Sequence, residues 1–355
     1  MLAATFRGPH SISSVEKPEP RIESPGDAIV RVELAGLCGS DLHPYRGREK
    51  GLDVGTTMGH EFTGTIVAIG DEVRNFHIGD AVLSPFSSSC GHCSPCGRGL
   101  TSRCSGGDLF GWLAGGRGLE GGQAELVRVP LADGTLVARP DELDPIDALL
   151  LGDVVSTGYH IAERAKVGTD TPVAVVGLGA VGLSAVLACH AAGAPQIFAL
   201  DSVEERLERA RGFGAIPIDI RGPDGFRTPR QIGELVKSQA PEGVAVALEA
   251  VGTESATAVS VELLRPGGHL SIAGVHTESH FALSPELAYD KNLTLSIGRC
   301  PARAGLEERV KRQIESPQPF SEIVTHRVPL TDASDAYQIF DQRVDGCVKL
   351  VFETS

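Results

Sequence analysis

The sequence predicts an α/β fold with two domains, one an antiparallel, barrel-like β domain and the other a doubly wound parallel sheet. The chain has 355 residues, more than one hydrophobic core usually organises. In its first half, short apolar runs alternate with Gly, Pro and Asp, as they do between antiparallel strands. After about residue 150, apolar runs alternate with amphipathic stretches, which is typical of a parallel sheet covered by helices.

The individual elements follow from the same patterns. In the first half, β-branched and apolar residues predict strands within 27–36, 62–70, 80–86 and 123–140. In the second half, the patterns predict a strand, tight turn and helix within 172–194, a strand at 196–201, a helix at 202–215, and strands within 244–252, 269–275 and 292–298. Near the C-terminus, residues 331–343 form a predicted helix that Thr331 and Asp332 can cap.

Composition narrows the classes of function. The formal net charge is −14, which argues against a nucleic-acid or anionic-membrane surface, because such surfaces need clustered Lys and Arg. The N-terminal segment shows neither a signal-peptide pattern nor an 18-residue apolar span. We therefore expect a cytoplasmic protein whose partners are small molecules and other subunits, with no nucleic acid and no membrane.

Four of the eight cysteines, Cys90, Cys93, Cys96 and Cys104, lie within residues 90–104. Thiols stay reduced in the cytoplasm, so cysteines this closely spaced indicate metal ligands more often than disulfides. An iron–sulfur cluster is disfavoured because the ferredoxin run that ends in Cys-Pro is missing.

A glycine loop follows the predicted strand at 172–176. Gly177, Gly179 and Gly182 have the G-x-G-x-x-G spacing at the start of a helix, which indicates a dinucleotide pyrophosphate at the helix N-terminus. A loop that only packs a helix is the alternative. Asp201 ends the next strand, where an acidic residue binds the adenosine ribose. Its charge would repel a 2′-phosphate by about 4 kcal/mol at roughly 4 Å and an effective dielectric near 20, so NAD is expected over NADP.

Further potential metal ligands are scattered along the first half. The segment at 34–43 contains Cys38, Ser40 and His43, the segment at 58–64 contains His60 and Glu61, and Asp153 lies just before the predicted dinucleotide fold. Each residue alone is more often a core residue than a ligand, but together they form a pattern.

These segments, GLCGSDLH, GHEFTG, the four-cysteine lobe, GDVVSTGYH and VVGLGAVG, resemble in order and spacing the zinc-dependent alcohol dehydrogenases of the medium-chain dehydrogenase/reductase superfamily. The resemblance covers nearly the whole chain. It implies a GroES-like catalytic domain at 1–153 and 292–355 and a Rossmann NAD-binding domain at 154–291, with substrate in the cleft between them.

The resemblance also implies two zinc ions per chain. A catalytic zinc would bind Cys38, His60 and Asp153, with Glu61 behind it or as an exchangeable fourth ligand, and it would keep one position open for substrate. The four lobe cysteines would hold a closed structural zinc. The third ligand is Cys in the best-known branch of the family; Asp is more similar to the secondary-alcohol and formaldehyde dehydrogenase branches.

Several roles come from the resemblance alone. Ser40 would accept the proton of the alcohol and pass it through the nicotinamide ribose to His43. Phe86 and Trp112 would line the substrate pocket, and Lys349 would contact a cofactor phosphate. A homo-oligomer is implied, with a tetramer favoured over a dimer and residues 292–298 as a pairing edge strand.

The resulting prediction is a zinc-dependent oxidoreductase that transfers hydride between an alcohol and NAD, with an aldehyde or ketone in reverse. A formaldehyde dehydrogenase-like or a threonine- or polyol dehydrogenase-like enzyme is the alternative within that class. A zinc-ribbon nucleic-acid protein and a non-catalytic nucleotide- and zinc-binding protein are remote alternatives.

Overall fold

The computed structural model of the chain describes residues 1–278 and 280–354. Its strands, in chain order, are β1 (Leu2–Gly8), β2 (Ser11–Glu16), β3 (Ala28–Leu37), β4 (Glu61–Ile69), β5 (Ala81–Leu83), β6 (Trp112–Ala114), β7 (Arg117–Leu119), β8 (Leu126–Val129), β9 (Val137–Ala138), β10 (Val173–Val176), β11 (Ile197–Asp201), β12 (Ile216–Asp219), β13 (Arg221–Gly222), β14 (Gly225–Phe226), β15 (Val244–Glu249), β16 (Leu264–Ile272), β17 (Thr294–Ile297), β18 (His326–Pro329) and β19 (Leu350–Glu353).

The helices show the expected alternation with strands in the middle of the chain. In chain order they are α1 (Leu42–Tyr45), α2 (Ser94–Gly97), α3 (Ala132–Thr135), α4 (Pro145–Gly152), α5 (Val154–Arg164), α6 (Ala180–Ala191), α7 (Glu204–Gly212), α8 (Pro229–Lys237), α9 (Glu254–Leu263), α10 (Pro285–Asp290), α11 (Ala302–Glu315) and α12 (Ala333–Gln342). Short 3₁₀ turns lie at Gly39–Asp41, Thr101–Arg103, Phe320–Ile323, Leu330–Asp332 and Val344–Gly346. None of the helices in the described ranges is long and apolar enough to cross a membrane.

The chain divides into two compact units, one formed by Met1–Ser156 with Pro301–Ser355 and the other by Thr157–Cys300. The expected second-domain range of 154–291 ends before β17. This strand nevertheless pairs in parallel with β16, so it belongs to the sheet of the second unit, which continues to Cys300.

The first unit is built around a seven-stranded sheet with the strand order β18-β19-β3-β4-β5-β9, in which β8 also pairs with β3. All pairs are antiparallel except β18 with β19. One face packs on a core whose largest buried side chains include Phe62, Met58, Tyr337 and Phe352. The four strand segments predicted in this half all contain strands of the sheet, whereas the N-terminal hairpin of β1 and β2 was not predicted.

The second unit contains a six-stranded parallel sheet with the order β12-β11-β10-β15-β16-β17. Strands β11 and β12 lie on one side of β10, and strands β15, β16 and β17 lie on the other. The strand order therefore reverses at β10. Ligands of open α/β sheets bind beyond the carboxyl ends of the strands at such a point. The predicted doubly wound sheet is confirmed, and β17 lies at its edge.

The C-terminal helix differs from its prediction in one detail. Asp332 is the N-cap of α12, but its side chain makes no capping hydrogen bond with the helix. Instead, the Thr331 hydroxyl donates to the Asp332 carboxylate at 2.9 Å, so the two side chains satisfy each other.

Candidate metal centre and dinucleotide loop

Strand pairing brings together two of the predicted metal-binding segments. Strand β3 ends at Leu37, directly before Cys38, and β4 begins at Glu61, directly after His60. Gly36 of β3 is paired with Glu61 of β4. A Cβ on Gly36 would lie 1.8 Å from Glu61 Oε2, so only glycine at this position lets the Glu61 carboxylate fold back over β3.

Asp153 joins this group from a helix end. It follows α4 as its C-cap, with φ −140° and ψ −79°. The Cys38 thiol donates to Asp153 Oδ2 at 3.5 Å, and Asp153 Oδ2 lies 3.3 Å from His60 Nε2. The donor atoms of Cys38, His60, Glu61 and Asp153 all lie within 4.8 Å of one another.

The donor groups of this site lie so close together that each shifts the pKa of its neighbours. Burial raises the pKa of the Cys38 thiol, and the Asp153 and Glu61 carboxylates raise it further. Burial alone would raise the pKa of Asp153, but its hydrogen bond with His60 lowers that pKa to about 2. Burial alone would lower the pKa of His60, yet Asp41 and Asp153 raise it well above the ordinary value.

Glu61 is completely buried and has one partner that the sequence did not suggest. Its Oε2 atom forms an ion pair with Lys349 Nζ, and Lys349 also donates to the Leu37 carbonyl at 3.1 Å. Burial raises the pKa of Glu61 to about 7, although Lys349 opposes the shift. The Lys349 side chain is fully buried; its contact with a cofactor phosphate stays a prediction.

The chemistry of these donors fits a zinc ion. One thiolate, one imidazole and one carboxylate balance the charge of Zn²⁺ and form a three-ligand set of the catalytic kind. Glu61 Oε1 is buried and has no hydrogen-bond partner among the described residues, so this oxygen is available for a cation. A divalent cation would also relieve the repulsion that raises the Cys38 pKa.

Asp41 is a member of this centre that sequence reasoning missed. Its Oδ1 atom lies 3.3 Å from His60 Nδ1, and its Oδ2 atom accepts a hydrogen bond from the Cys38 backbone N–H at 3.0 Å. The available signal was its position three residues after Cys38, where a carboxylate can cap the 3₁₀ turn that Cys38 begins.

The two residues of the predicted proton relay follow Cys38 closely, Ser40 in the 3₁₀ turn and His43 in α1. The Ser40 hydroxyl is 3.3 Å from His60 Nε2, which places it beside the metal-binding group. His43 lies in α1 and is half-buried, and its Nδ1 atom has no hydrogen-bond partner in the described part of the chain. Burial lowers the pKa of His43.

The four lobe cysteines form a second group whose sulfur atoms all lie within 4.8 Å of one another. All eight cysteines of the chain are free thiols. Backbone N–H groups point at the sulfurs: Cys90 N lies 3.2 Å from Cys104 Sγ, Cys93 N lies 3.3 Å from Cys90 Sγ, and Ser105 N lies 3.5 Å from Cys93 Sγ.

The lobe has the features of a closed metal site. Backbone hydrogen bonds, the largest from Ser105, lower the pKa of Cys93 to about 6, whereas burial raises that of Cys96 to about 12. A protein that gathers four thiols and stabilises negative charge on one of them is suited to a thiolate-binding metal. Four sulfur donors match a tetrahedral structural zinc with no position left for substrate.

The glycine loop has the geometry that a pyrophosphate needs. Gly177 has φ +89°, and a Cβ there would lie 2.3 Å from Val251 Cγ2; a Cβ on Gly182 would lie 1.8 Å from the Gly177 carbonyl oxygen. Gly179 is the N-cap of α6 and has open space where its Cβ would be. The loop is therefore tightly packed beneath and open at the helix N-terminus, where anions bind.

Asp201 closes this loop from the adjacent strand. Its Oδ2 atom accepts a hydrogen bond from Leu178 N at 2.7 Å, and its Oδ1 atom accepts from Ser202 N at 2.7 Å. The sequence shows no arginine directly after Asp201, but α7 returns Arg206 to 3.6 Å from its carboxylate. Arg206 is a second residue that sequence reasoning missed.

The two predicted pocket residues have different environments. Phe86 is buried, with 7% of its surface exposed, and Trp112 is half-buried in β6 and packs against the core of the first unit. Their contact with substrate stays a prediction.

Comparison with known proteins gives a consistent result. Residues 24–141 match the family model described as "Alcohol dehydrogenase GroES-like domain", and residues 180–310 match "Zinc-binding dehydrogenase". "Zinc-type alcohol dehydrogenase B" of Aspergillus flavus is 35% identical over 96% of this chain and 79% of its own length. "Alcohol dehydrogenase" of Cupriavidus necator is 32% identical over 99% of this chain and 98% of its own.

Among solved structures, the alcohol dehydrogenase TADH from Thermus sp. ATN1 superimposes with a TM-score of 0.91 at 34% identity, and the match covers 100% of both chains. The fold and the donor groups thus define a zinc-binding medium-chain dehydrogenase. The chain belongs to the zinc-dependent alcohol dehydrogenase family of the medium-chain dehydrogenase/reductase superfamily.

Proposed function

We propose that this chain is a zinc-dependent oxidoreductase that transfers a hydride between an alcohol and NAD, and in reverse between NADH and an aldehyde or ketone. The observation that carries the proposal is the convergence of Cys38, His60, Glu61 and Asp153 within 4.8 Å. These four residues come from three segments that lie far apart in the chain, so packing alone gives little reason to gather a thiol, an imidazole and two carboxyls.

In this proposal Cys38, His60 and Asp153 hold the catalytic zinc. Glu61 lies behind the zinc or acts as an exchangeable fourth ligand. A bound zinc acts as a Lewis acid that lowers the pKa of an alcohol oxygen, as it lowers that of water. The protein holds the three donors in place through the ends of β3, β4 and α4. Lys349 balances the second carboxylate.

Ser40 and His43 carry the proton in this proposal. The Ser40 hydroxyl beside His60 would accept the proton of the alcohol, and His43 would receive it through the nicotinamide ribose. The lowered pKa of His43 keeps its imidazole neutral near pH 7 and able to accept a proton.

The dinucleotide is NAD in this proposal. The open N-terminus of α6 would receive the pyrophosphate, and Asp201 would accept hydrogen bonds from the adenosine ribose. The four lobe cysteines would hold a second, structural zinc, which makes two zinc ions per chain. Accordingly, the first unit is the catalytic domain and the second is the NAD-binding domain.

The substrate is a small alcohol, aldehyde or ketone, and Phe86 and Trp112 would line its pocket. The second candidate is a formaldehyde dehydrogenase-like or a threonine- or polyol dehydrogenase-like specificity, which Asp at position 153 and the sequence that runs from the cysteine lobe to residue 137 favour. The proposed assembly is a homo-oligomer, with a tetramer favoured over a dimer. The exposed edge strand β17, where Leu295 and Ile297 are 41% and 56% exposed, supports pairing between copies. The cytoplasmic location stays a prediction.

The test combines metal content with a substrate screen. The purified enzyme is expected to hold two zinc ions per chain and to reduce NAD with members of a panel of primary, secondary and polyol alcohols and formaldehyde. Cys38→Ala should retain one zinc and lose turnover. A wild-type protein that holds at most one zinc after reconstitution, or a Cys38→Ala variant that remains active, would contradict the proposal.

A further inference from the structure

A chain of buried polar side chains runs from the C-terminal helix to the metal-binding group. Tyr337 of α12 donates its hydroxyl hydrogen to Gln123 Oε1 at 2.9 Å. Gln123 Nε2 lies 3.0 Å from the Gly36 carbonyl and 3.4 Å from Asp41 Oδ2. Asp41 Oδ1 in turn lies 3.3 Å from His60 Nδ1.

The orientation of the Gln123 amide follows from its neighbours. The Gly36 carbonyl and the Asp41 carboxylate only accept hydrogen bonds, so both must face the NH₂ group. The Tyr337 hydroxyl is then left to donate to Oε1. Gln123 and Tyr337 are completely buried and Asp41 is 5% exposed, so water cannot replace these bonds.

The backbone is adapted to this glutamine. Gly59, the residue before His60, has φ +89°, and a Cβ there would lie 2.4 Å from Gln123 Cγ. The Gln123 side chain thus packs directly on the peptide that carries His60. It touches both β3, at Gly36, and the turn that begins at Cys38, through Asp41.

The tautomer of His60 follows from this arrangement once the proposed zinc takes Nε2, which lies on the side of Cys38 and Asp153. Nδ1 then carries the hydrogen and faces Asp41 Oδ1 at 3.3 Å. The carboxylate can hold the ring in this way only if its own position is fixed. Two donors fix Asp41 Oδ2: the Cys38 N–H and the Gln123 amide.

We propose that Gln123 and Tyr337 are positioning residues for the metal ligand His60, acting through Asp41. This inference rests on the proposed catalytic zinc at Cys38, His60 and Asp153. Mutation of a residue that hydrogen-bonds to a ligating histidine commonly lowers metal affinity by 10–100-fold. Gln123 is one hydrogen bond further out, so Gln123→Met should accelerate zinc loss from the catalytic site by about 3- to 10-fold, and Tyr337→Phe by about 2- to 3-fold.

The chain offers a matched control in Gln313 of α11. This glutamine is also buried and also donates its amide to a carboxylate, Asp147 Oδ2, at 2.7 Å. Gln313→Met deletes comparable bonds in the same unit but touches none of the four metal donors; its partner Asp147 lies in the first turn of α4, at the opposite end of that helix from Asp153. It separates a general loss of stability from a specific effect on the metal.

The experiment measures zinc transfer to a chromogenic chelator from the full-length protein, together with the visible absorption of Co²⁺ placed in the catalytic site. We expect faster metal release and an altered Co²⁺ spectrum for Gln123→Met and Tyr337→Phe, with both unchanged for Gln313→Met. Equal release rates and identical spectra in all three variants and the wild type would overturn the inference. So would a Gln313→Met effect as large as that of Gln123→Met.

If Gln123→Met does not fold, Tyr337→Phe decides the question, because it removes only one hydroxyl. Faster release than in Gln313→Met supports the inference, and the wild-type rate overturns it. A wild type that binds metal only in the cysteine lobe would instead contradict the proposed function, so the two failures are distinguishable.

Discussion

The Lys349 ammonium and the Glu61 carboxylate form an ion pair in which both side chains are fully buried, although 288 residues separate them in the chain. The pair connects β4 to the segment that leads into β19, and both lie beside β3. The pair lies next to Cys38 and Asp153. Burial lowers the pKa of Lys349, but the charges of Glu61, Cys38 and Asp153 outweigh this effect and raise that pKa. The residue directly before the C-terminal strand therefore supplies the cation that balances the second carboxylate of the metal-binding group.

Removing this cation should destabilise the fold. Lys349→Met leaves Glu61 buried without its counter-ion, and breaking a buried pair in this way costs about 3–5 kcal/mol. In a Glu61→Gln background the same substitution should cost about 0.5–3 kcal/mol less. Urea unfolding of the wild type, both single variants and the double variant measures the coupling. A Lys349→Met cost below about 1 kcal/mol would show that solvent reaches the pair.

Loss of a lobe cysteine should separate stability from chemistry. Cys104→Ala removes one of four sulfur donors, so the zinc content should fall from two to one per chain. The melting temperature should fall by about 6–12 °C, which corresponds to about 3 kcal/mol for a unit of this size. Activity per zinc-loaded catalytic site should change little, because the lobe has no position for substrate.

Cys189→Ala is the control for this variant. Cys189 is fully buried in α6 of the other unit and belongs to neither donor group. It should keep both zinc ions and show only the cost of a small cavity. Calorimetry and elemental analysis compare the two variants; full zinc content in Cys104→Ala would refute the assignment of the lobe as a metal site.

The parts of the molecule that the sequence predicted are those with a local pattern. The glycine loop, the strand before it and the four-cysteine lobe each lie within about twenty residues, and their spacing alone restricts what they can do. The scattered ligands Cys38, His60 and Asp153 could be assembled only because several motifs together resembled a known family. Their convergence in space is a property of how β3, β4 and α4 end.

What could not be predicted depends on tertiary contacts. Lys349 pairs with Glu61 and Tyr337 with Gln123 across distant segments, and Arg206 turns back from α7 towards Asp201, five residues before it. No periodicity or spacing marks these residues, because their partners are chosen by the packing of sheets and helices. The end of the second domain was also misplaced, since an edge strand has the same apolar pattern in either unit.

His43 offers a pH test of the proton path. Burial lowers its pKa below the ordinary 6.5, and Arg48 and Arg46 lower it further, while Glu49 and Asp41 oppose the shift. A lowered pKa keeps the accepting form populated to lower pH, so the acid limb of kcat should fall below pH 6.5. His43→Gln should lower kcat by about 100-fold, and added imidazole should restore part of it.

The control is His77→Gln, because the His77 side chain is 83% exposed and lies outside the metal-binding group. It should leave the pH profile unchanged. If His43→Gln follows the wild-type profile from pH 5 to 9, the proton leaves the site by another route.

Cofactor choice should depend on both Asp201 and Arg206. Asp201→Gly removes the charge that repels a 2′-phosphate and frees Arg206, now 3.6 Å from that carboxylate, to pair with the phosphate. We expect weaker NADH binding and tighter NADPH binding, with their ratio shifted by about 100-fold or more, given a charge interaction of about 4 kcal/mol. Asp201→Asn is the milder variant, because it removes the charge but keeps one acceptor oxygen, enough for either Leu178 N or Ser202 N but not for both. In Asp201→Gly/Arg206→Ala the gain in NADPH affinity should largely disappear.

Fluorescence titration of each variant with both reduced cofactors provides the dissociation constants. If the ratio of the NADH and NADPH dissociation constants stays at the wild-type value in Asp201→Gly, the adenosine ribose is bound elsewhere.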